Sequence, residues 1–279
     1  MENKHIIITG GSGRIGRYVI RDLMDKFNLI NFDRISGSEN TDFIKGDVMD
    51  LDALREATKG AHAIIHLAAL DLHTNADPEK FVHVNTMGTW NVLQSAKENG
   101  VKKVILCSSI SACGLSEMRP DWKPLYLPVD EYHECKPVHA YSVSKQIIEQ
   151  MAQSFLHGTD ISVICLRPVA VVMAENLNWY IESVDDPNRH WLFYYVTAKD
   201  VARAFHMALE VTTCKWGVFF LSADDTSRPE KTLEWYEKEI GCIPPISNPN
   251  IFHSNPRASI FSNAKAFTAL GWRPTSNFN

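Results

Sequence analysis

His5-Ile6-Ile7-Ile8-Thr9-Gly10-Gly11-Ser12-Gly13-Arg14-Ile15-Gly16 is the stretch that decides the fold. Its first five residues are a short apolar, β-branched run that stops at glycines, the pattern of a buried strand. The period then changes: Ile15, Val19, Leu23 and Phe27 fall on one helical face, which predicts a helix over 14–27. Between strand and helix stand Gly10, Gly13 and Gly16. Glycine permits the tight turn and lets backbone approach a pyrophosphate closely. The helix start points free N–H groups and the positive end of its dipole at the phosphates. Glycine spacing alone is weak evidence, but a strand before it and a helix after it make it a dinucleotide-binding turn. Gly10, Gly13, Arg14, Ile15 and Gly16 are therefore expected to hold a cofactor.

The same alternation continues outward. Strands are predicted over 28–33, 42–45, 63–67, 103–108, 161–166 and 218–221, and helices over 50–58, 81–99, 140–157 and 199–210. Gly100 stops the third helix and Pro168 the sixth strand. From Leu233 a helix, a proline-rich loop and a closing helix over 264–270 are expected, and 115–137 reads as loop. Strands alternating with helical crossovers predict an α/β fold, a Rossmann-type doubly wound parallel sheet. Residues 1–168 would form the NAD(P)-binding domain. Residues 169–279 would form a small C-terminal substrate-binding portion packed on it, returning elements to the sheet.

With 28 basic and 33 acidic residues, the net charge of −5 offers no basic field for a phosphate backbone, so nucleic acid is not an expected partner. No apolar run approaches the ~20 residues that span a bilayer, and the N-terminal residues run straight into the strand pattern without a signal peptide. The six cysteines include no C-x-x-C pair and read as free thiols, so a cytoplasmic protein with no metal site is expected.

Asp33 closes the second strand, 17 residues after Gly16. A carboxylate there accepts hydrogen bonds from both adenosine ribose hydroxyls and favours NAD, while Arg34 leaves NADP open. Asp47, with Val48 beside it, is placed to meet adenine, a helix cap being the plainer role for Asp47. In His66-Leu67-Ala68-Ala69 the small alanines let the chain pass close to the cofactor, and His66 reads as a packed core histidine. Tyr141 and Lys145 lie four apart on one helical face. An ammonium near a phenol lowers its pKa, which suits Tyr141 to act as a general base. Ser109, at the carboxyl end of the fifth strand, supplies a hydroxyl where open α/β sheets bind ligands.

In this order and spacing, the glycine turn, Asp33, Gly46-Asp47, His66 to Ala69, Asn85, Ser108-Ser109, Tyr141 to Lys145 and Arg167-Pro168 resemble the extended short-chain dehydrogenase/reductase family, also called the NAD-dependent epimerase/dehydratase family. The resemblance runs through roughly the first 170 residues, and 199–204 also looks like a family helix. It implies that Ser109 orients substrate, Tyr141 is the acid/base, and Lys145 binds ribose and tunes Tyr141. It implies that Asn85 braces the helix beside the site and that Pro168 contacts nicotinamide. Dehydratases of the family carry an acidic pair after the active-site hydroxyl, where this chain has Ile110 and Ser111. Only about thirty residues separate Pro168 from Lys199, short for a nucleotide-sugar clamp, so a small substrate is expected. The length, 191–195 and the ending Leu270-Gly271-Trp272-Arg273-Pro274 look like uronate and related aldose 1-dehydrogenases, although uronate enzymes have Asn and His where Ile110 and Ser111 stand. The expected function is NAD(P)-dependent hydride transfer to or from a small sugar, sugar acid or polyol. The alternatives are a sugar epimerase with tightly held NAD or a non-catalytic cofactor sensor. Arg189 and Arg203 are candidate carboxylate holders, with surface solvation the plainer role, and 81–99 with 140–157 are the family's usual homodimer faces.

Overall fold

The computed structural model describes residues 5–117, 119–184, 186 and 194–277. Among them, β1 (His5–Thr9), β2 (Asn28–Asp33), β3 (Asp42–Lys45), β4 (Ala63–His66), β5 (Lys103–Cys107), β6 (Ser162–Pro168) and β9 (Trp216–Leu221) form one parallel sheet. Its order is β3-β2-β1-β4-β5-β6-β9. The order reverses between β1 and β4, and a crevice opens at the carboxyl ends of those strands. Register sets the residues there: Thr9 lies opposite Phe32 on one side and His66 on the other.

Successive side chains of a strand point to opposite faces, and β1 shows why both faces carry helices. Ile6 and Ile8 enter one apolar cluster with Val19, Leu23 and Phe205, while Ile7 enters a second with Leu54, Val92 and Leu93. The first cluster is covered by α1 (Gly16–Leu23) and α6 (Ala198–Glu210), and the second by α2 (Leu51–Ala57), α3 (Pro78–Glu98) and α4 (Ala140–Leu156). Strands buried on both faces read as unbroken apolar runs, which is how β1 and β4 look in the sequence.

The boundaries differ in places. The helix expected over 14–27 is regular only from Gly16 to Leu23, with Ile15 at its N-cap. The helix expected from Phe81 begins at Pro78, because proline's fixed φ suits the first turn. Within 115–137, Leu115–Glu117 forms a single 3-10 turn. Three elements had no readable signal: β7 (Ala170–Val172), α5 (Leu177–Ser183) and β8 (Tyr195–Thr197). β7 and β8 pair as a separate two-stranded sheet, and three residues are too few for a period to show.

Beyond β9 come α7 (Thr232–Ile240), α8 (Pro249–Ser254) and α9 (Ala264–Leu270), with α8 inside the segment expected to be loop. The C-terminal stretch is tied to α6. Trp272, fully buried, donates from Nε1 to the Asp200 carbonyl (2.9 Å), and the Asp200 carboxylate accepts from the Thr275 and Ser276 amides. Arg203 belongs to this anchor, donating to Asp200 Oδ1 (2.6 Å) and to the Arg273 carbonyl (3.2 Å). It is therefore a structural residue and not a substrate-carboxylate holder. Arg189 lies outside the described residues.

Candidate active site

Two adjoining cavities occupy the crevice at the strand ends. The larger, about 730 Å³, is lined by the glycine turn, Ser109, Tyr141, Lys145 and Pro168. The smaller, about 250 Å³, is lined by Asp33, Asp47, Val48 and the Leu67–Ala69 stretch. Gly10 and Gly13 border both.

The glycines are required by close approach. Gly10 has φ +75°, and a Cβ on it would lie 2.5 Å from the Ala68 amide nitrogen. A Cβ on Gly16 would lie 2.4 Å from the Gly10 carbonyl oxygen. The turn is thus pressed against the backbone of Leu67 and Ala68 just after β4. Arg14 and Ile15 line the larger cavity, where the Arg14 guanidinium pairs with Asp71 at 2.5 Å. Asp33 accepts from the Ser12 amide (3.1 Å), which fixes its carboxylate beside the turn. Asp47 accepts from the Met49 amide (3.0 Å), while the cap of α2 is Asp50. The plainer role weighed for Asp47, that of a helix cap, therefore falls to Asp50. Together these features fit NAD: a turn with no room for side chains beside a cavity, and a fixed carboxylate at the end of β2.

The catalytic candidates converge from two elements. Ser109 follows β5 in extended conformation (φ −161°), and its hydroxyl accepts from the Ser111 amide (3.1 Å). The neighbouring Ser108 is engaged elsewhere, donating to Glu149 Oε1 at 2.5 Å. Ser109 shares the larger cavity with Tyr141. Tyr141 opens α4, and Lys145 sits one turn on, its Nζ 5.6 Å from the centre of the Tyr141 ring. Lys145 donates to the Cys107 carbonyl (2.8 Å), which anchors α4 to the end of β5.

The charge state differs from the expectation of a lowered phenol pKa. Burial pushes Tyr141 up and Lys145 down from their ordinary values, with the nearby Ser109 hydroxyl opposing the rise at Tyr141. In this pocket the phenol keeps its proton at rest.

Asn85 lines neither cavity. Its side chain accepts from the Leu70 amide (2.8 Å) and donates to Ser144 Oγ (2.9 Å), linking α3, α4 and the loop after β4. Ser144 in turn donates to the Tyr141 carbonyl (2.7 Å), so Asn85 reaches the tyrosine through α4's first turn. His66 is a satisfied core residue. Thr89 has one hydroxyl proton, directed at the Asn85 carbonyl (2.7 Å), so His66 Nε2 must donate to Thr89 (3.0 Å) and Nδ1 accept from Thr9 (2.7 Å). Burial holds the ring neutral, with its pKa lowered to about 3.

Several residues at the site carried no sequence signal. Asp71 reaches the cavity from an irregular loop and was invisible until it paired with Arg14. Glu149, which was not singled out, forms a buried ion pair (2.6 Å) with Arg167 of the Arg167-Pro168 motif and accepts from Ser108. Glu149 stands four residues after Lys145, so helical spacing was a usable clue. Tyr194, from the segment before β8, lines the larger cavity, and its buried hydroxyl has no partner among the described residues. Among those residues no helix is long and apolar enough to cross a membrane.

Residues 6–178 match the model of the NAD dependent epimerase/dehydratase family. Among similar proteins, N-acetyl-alpha-D-glucosaminyl-diphospho-ditrans,octacis-undecaprenol 4-epimerase of Escherichia coli O157:H7 is 28% identical over 177 residues, covering 62% of this chain and 51% of that protein. The chain thus spans about half the length of that curated relative. A short-chain dehydrogenase/reductase superfamily protein from Agrobacterium tumefaciens with bound NAD superposes with a TM-score of 0.77 at 20% identity, covering 98% of this chain and 93% of that one. A mutated uronate dehydrogenase does so at 0.69 and 17% identity, covering 99% of this chain and 82% of its own. At these identities the two structures speak for the fold. The family match covers more than half of the chain, and it agrees with the glycine turn, Asp33 and the serine-tyrosine-lysine cluster: this protein belongs to the NAD-dependent epimerase/dehydratase family, the extended short-chain dehydrogenases/reductases, whose cofactor is NAD.

Proposed function

We propose that this protein is an NAD-dependent dehydrogenase of a small hydroxylated substrate, a sugar, sugar acid or polyol. The observation that supports this most directly is that Ser109, Tyr141, Lys145 and Pro168 border the same cavity as the glycine turn. The glycine turn with Arg14 and Ile15 would hold the pyrophosphate, Asp33 the adenosine ribose, Asp47 and Val48 the adenine, and Lys145 the nicotinamide ribose. When bound, NAD supplies a hydride acceptor at nicotinamide C4.

The chain's own residues manage the proton and the geometry. Ser109 orients the substrate oxygen beside Tyr141, so the hydroxyl to be oxidised meets the phenol. Tyr141 Oη exchanges a proton with that oxygen. Its resting protonated state suits it as the acid of the reductive direction, and the Arg14 charge acts against the burial that raises its pKa, in the sense the oxidative direction needs. Asn85 acts through Ser144 and α4 as a positioning residue. Tyr194 lines the cavity, and its buried hydroxyl has no partner among the described residues, so a hydroxylated ligand that reached it would satisfy a costly buried polar group.

The reading is tested by NADH formation, followed by absorbance, with a panel of aldoses, uronates and polyols and a Tyr141→Phe control. A signal that the control abolishes supports it. The similarity to a 4-epimerase favours one second reading, in which hydride is returned to the same substrate. Silence across the panel, with NAD copurifying and a nucleotide sugar epimerised, would replace the first reading by the second.

A further inference from the structure

One buried group serves neither the cofactor nor the reaction: the sulfurs beside Arg167. This guanidinium is almost fully buried, stacks on Phe220 and makes two bonds to Glu149, from Nε (2.7 Å) and a terminal nitrogen (2.6 Å). Its two terminal nitrogens each also meet a thiol, Cys113 Sγ at 3.3 Å and Cys135 Sγ at 3.6 Å. Both cysteines are free. One guanidinium therefore contacts two thiols that lie 22 positions apart in the chain (135 − 113).

We propose that Cys113 and Cys135 are a peroxide-sensitive dithiol, oxidised to a disulfide between the turn that follows Ser109 and the segment leading into Tyr141. The two partners differ in the way such a pair requires. Cys113 is fully buried, while Cys135 is half-buried. The neighbouring Cys113 and the Arg167 charge pull the Cys135 thiol down to about 7, the condition for a nucleophilic thiolate. Glu149 opposes this, but Arg167 lies between it and both sulfurs' contacts.

The step balances with hydrogen peroxide as oxidant. Cys135 Sγ attacks one peroxide oxygen and the O–O bond breaks. The sulfur becomes a sulfenic acid, and the departing hydroxide leaves as water with the thiol's proton. Cys113 Sγ then attacks the sulfenic sulfur, the S–S bond forms and a second water leaves. Two thiols lose two electrons and one peroxide becomes two waters. The Lys136 amide donates to the Cys113 carbonyl (3.2 Å), so the two segments are already in contact.

The remaining cysteines are internal controls. Cys107 and Cys165 are pushed up by burial, and Cys242 is exposed with no cysteine partner described. The experiment treats the full, reduced chain with stoichiometric hydrogen peroxide, alkylates the remaining thiols and maps the peptides by mass. The expected product links the Cys113 and Cys135 peptides with loss of two hydrogens, at least about tenfold faster than Cys165 or Cys242 is modified. In Cys113→Ala the link and its mass loss vanish. Cys113 and Cys135 both alkylating fully after Cys242 has oxidised would overturn the proposal. So would pairing of either with a different cysteine, or the same mass loss persisting in Cys113→Ala.

Discussion

The two walls of the larger cavity are built by opposite means. On the cofactor side, backbone does the shaping: Gly10 and Gly16 leave no room for a Cβ against Ala68 and the turn's own carbonyls. The hydroxyls and amine of the site there are placed by the ends of β5 and the first turn of α4. On the other side, residues from β7, α5 and the approach to β8 present side chains, among them Met173, Trp179 and Tyr194. A wall made of backbone is fixed by local sequence and shared across a family. A wall made of side chains on short elements is set by many separate residues, and it is where the proposed substrate would be told apart from others.

The sharpest way to break this comparison is at Tyr141, on the fixed wall. Tyr141→Phe keeps the ring that packs edge-on to Phe81 and removes only the hydroxyl. Turnover is expected to fall by about 10²–10⁴-fold, with the unfolding midpoint almost unchanged. A variant that retained most of its turnover would remove Tyr141 from the chemistry and the dehydrogenase reading with it.

Next comes His66, which supports the fixed wall from beneath. Its pKa in the folded chain is lowered to about 3, below its ordinary value near ~6.5, so the unfolded chain binds the extra proton first. The stability it contributes is whole above pH ~6.5 and drains as pH falls toward ~3, at up to about 1.4 kcal/mol per pH unit. Denaturant unfolding between pH ~6 and ~4 should show a slope shallower by that amount in His66→Gln. Parallel slopes would mean that the ring is not held neutral by its surroundings.

Asp33 tests whether the adenosine end is as fixed as the nicotinamide end. Its carboxylate is aimed by the Ser12 amide, and a 2′-phosphate would meet it as a like charge. Asp33→Asn should raise KM for NAD by about 10–100-fold and narrow the gap to NADP, with kcat changed far less. An unchanged preference would assign cofactor choice to another group, with Arg34 the nearest cation on the same cavity.

Legibility in the sequence followed the same division. The central strands announced themselves because burial on both faces leaves an unbroken apolar run such as Ile6-Ile7-Ile8, whereas the exposed edge strand β3 was legible only from its place before Gly46-Asp47. The glycine turn, Ser109, Tyr141 and Lys145 were legible because their spacing is set by one turn, one strand end and one helical repeat. Asp71 and Tyr194 were not, since each reaches the cavity from an irregular segment whose path depends on contacts distant in sequence. Nor was the resting state of Tyr141: helical spacing placed Lys145 near the phenol, but spacing carries no information about burial, which dominates both groups. Arg203 shows the converse case: of its two roles, carboxylate holder or plain surface charge, neither reading foresaw the tail after Trp272 that engages it.

The smallest expected effect is also the one that bears most directly on the variable wall. Tyr194→Phe removes a single buried hydroxyl that has no partner among the described residues. If that hydroxyl bonds the substrate, its loss should raise KM for the substrate by about tenfold, on the order of 1–1.5 kcal/mol, and leave KM for NAD alone. The free protein should become no less stable, because an unsatisfied polar group has been taken out of the interior. These two readouts separate the possibilities. A stabilised variant with an unchanged substrate KM would mean that the hydroxyl meets nothing in the complex, and the ligand's polar groups would have to be sought elsewhere on the wall. A variant with raised KM and unreduced stability would place a substrate hydroxyl against Tyr194, opposite Ser109 and Tyr141, and so give the first fixed distance for choosing among candidate sugars.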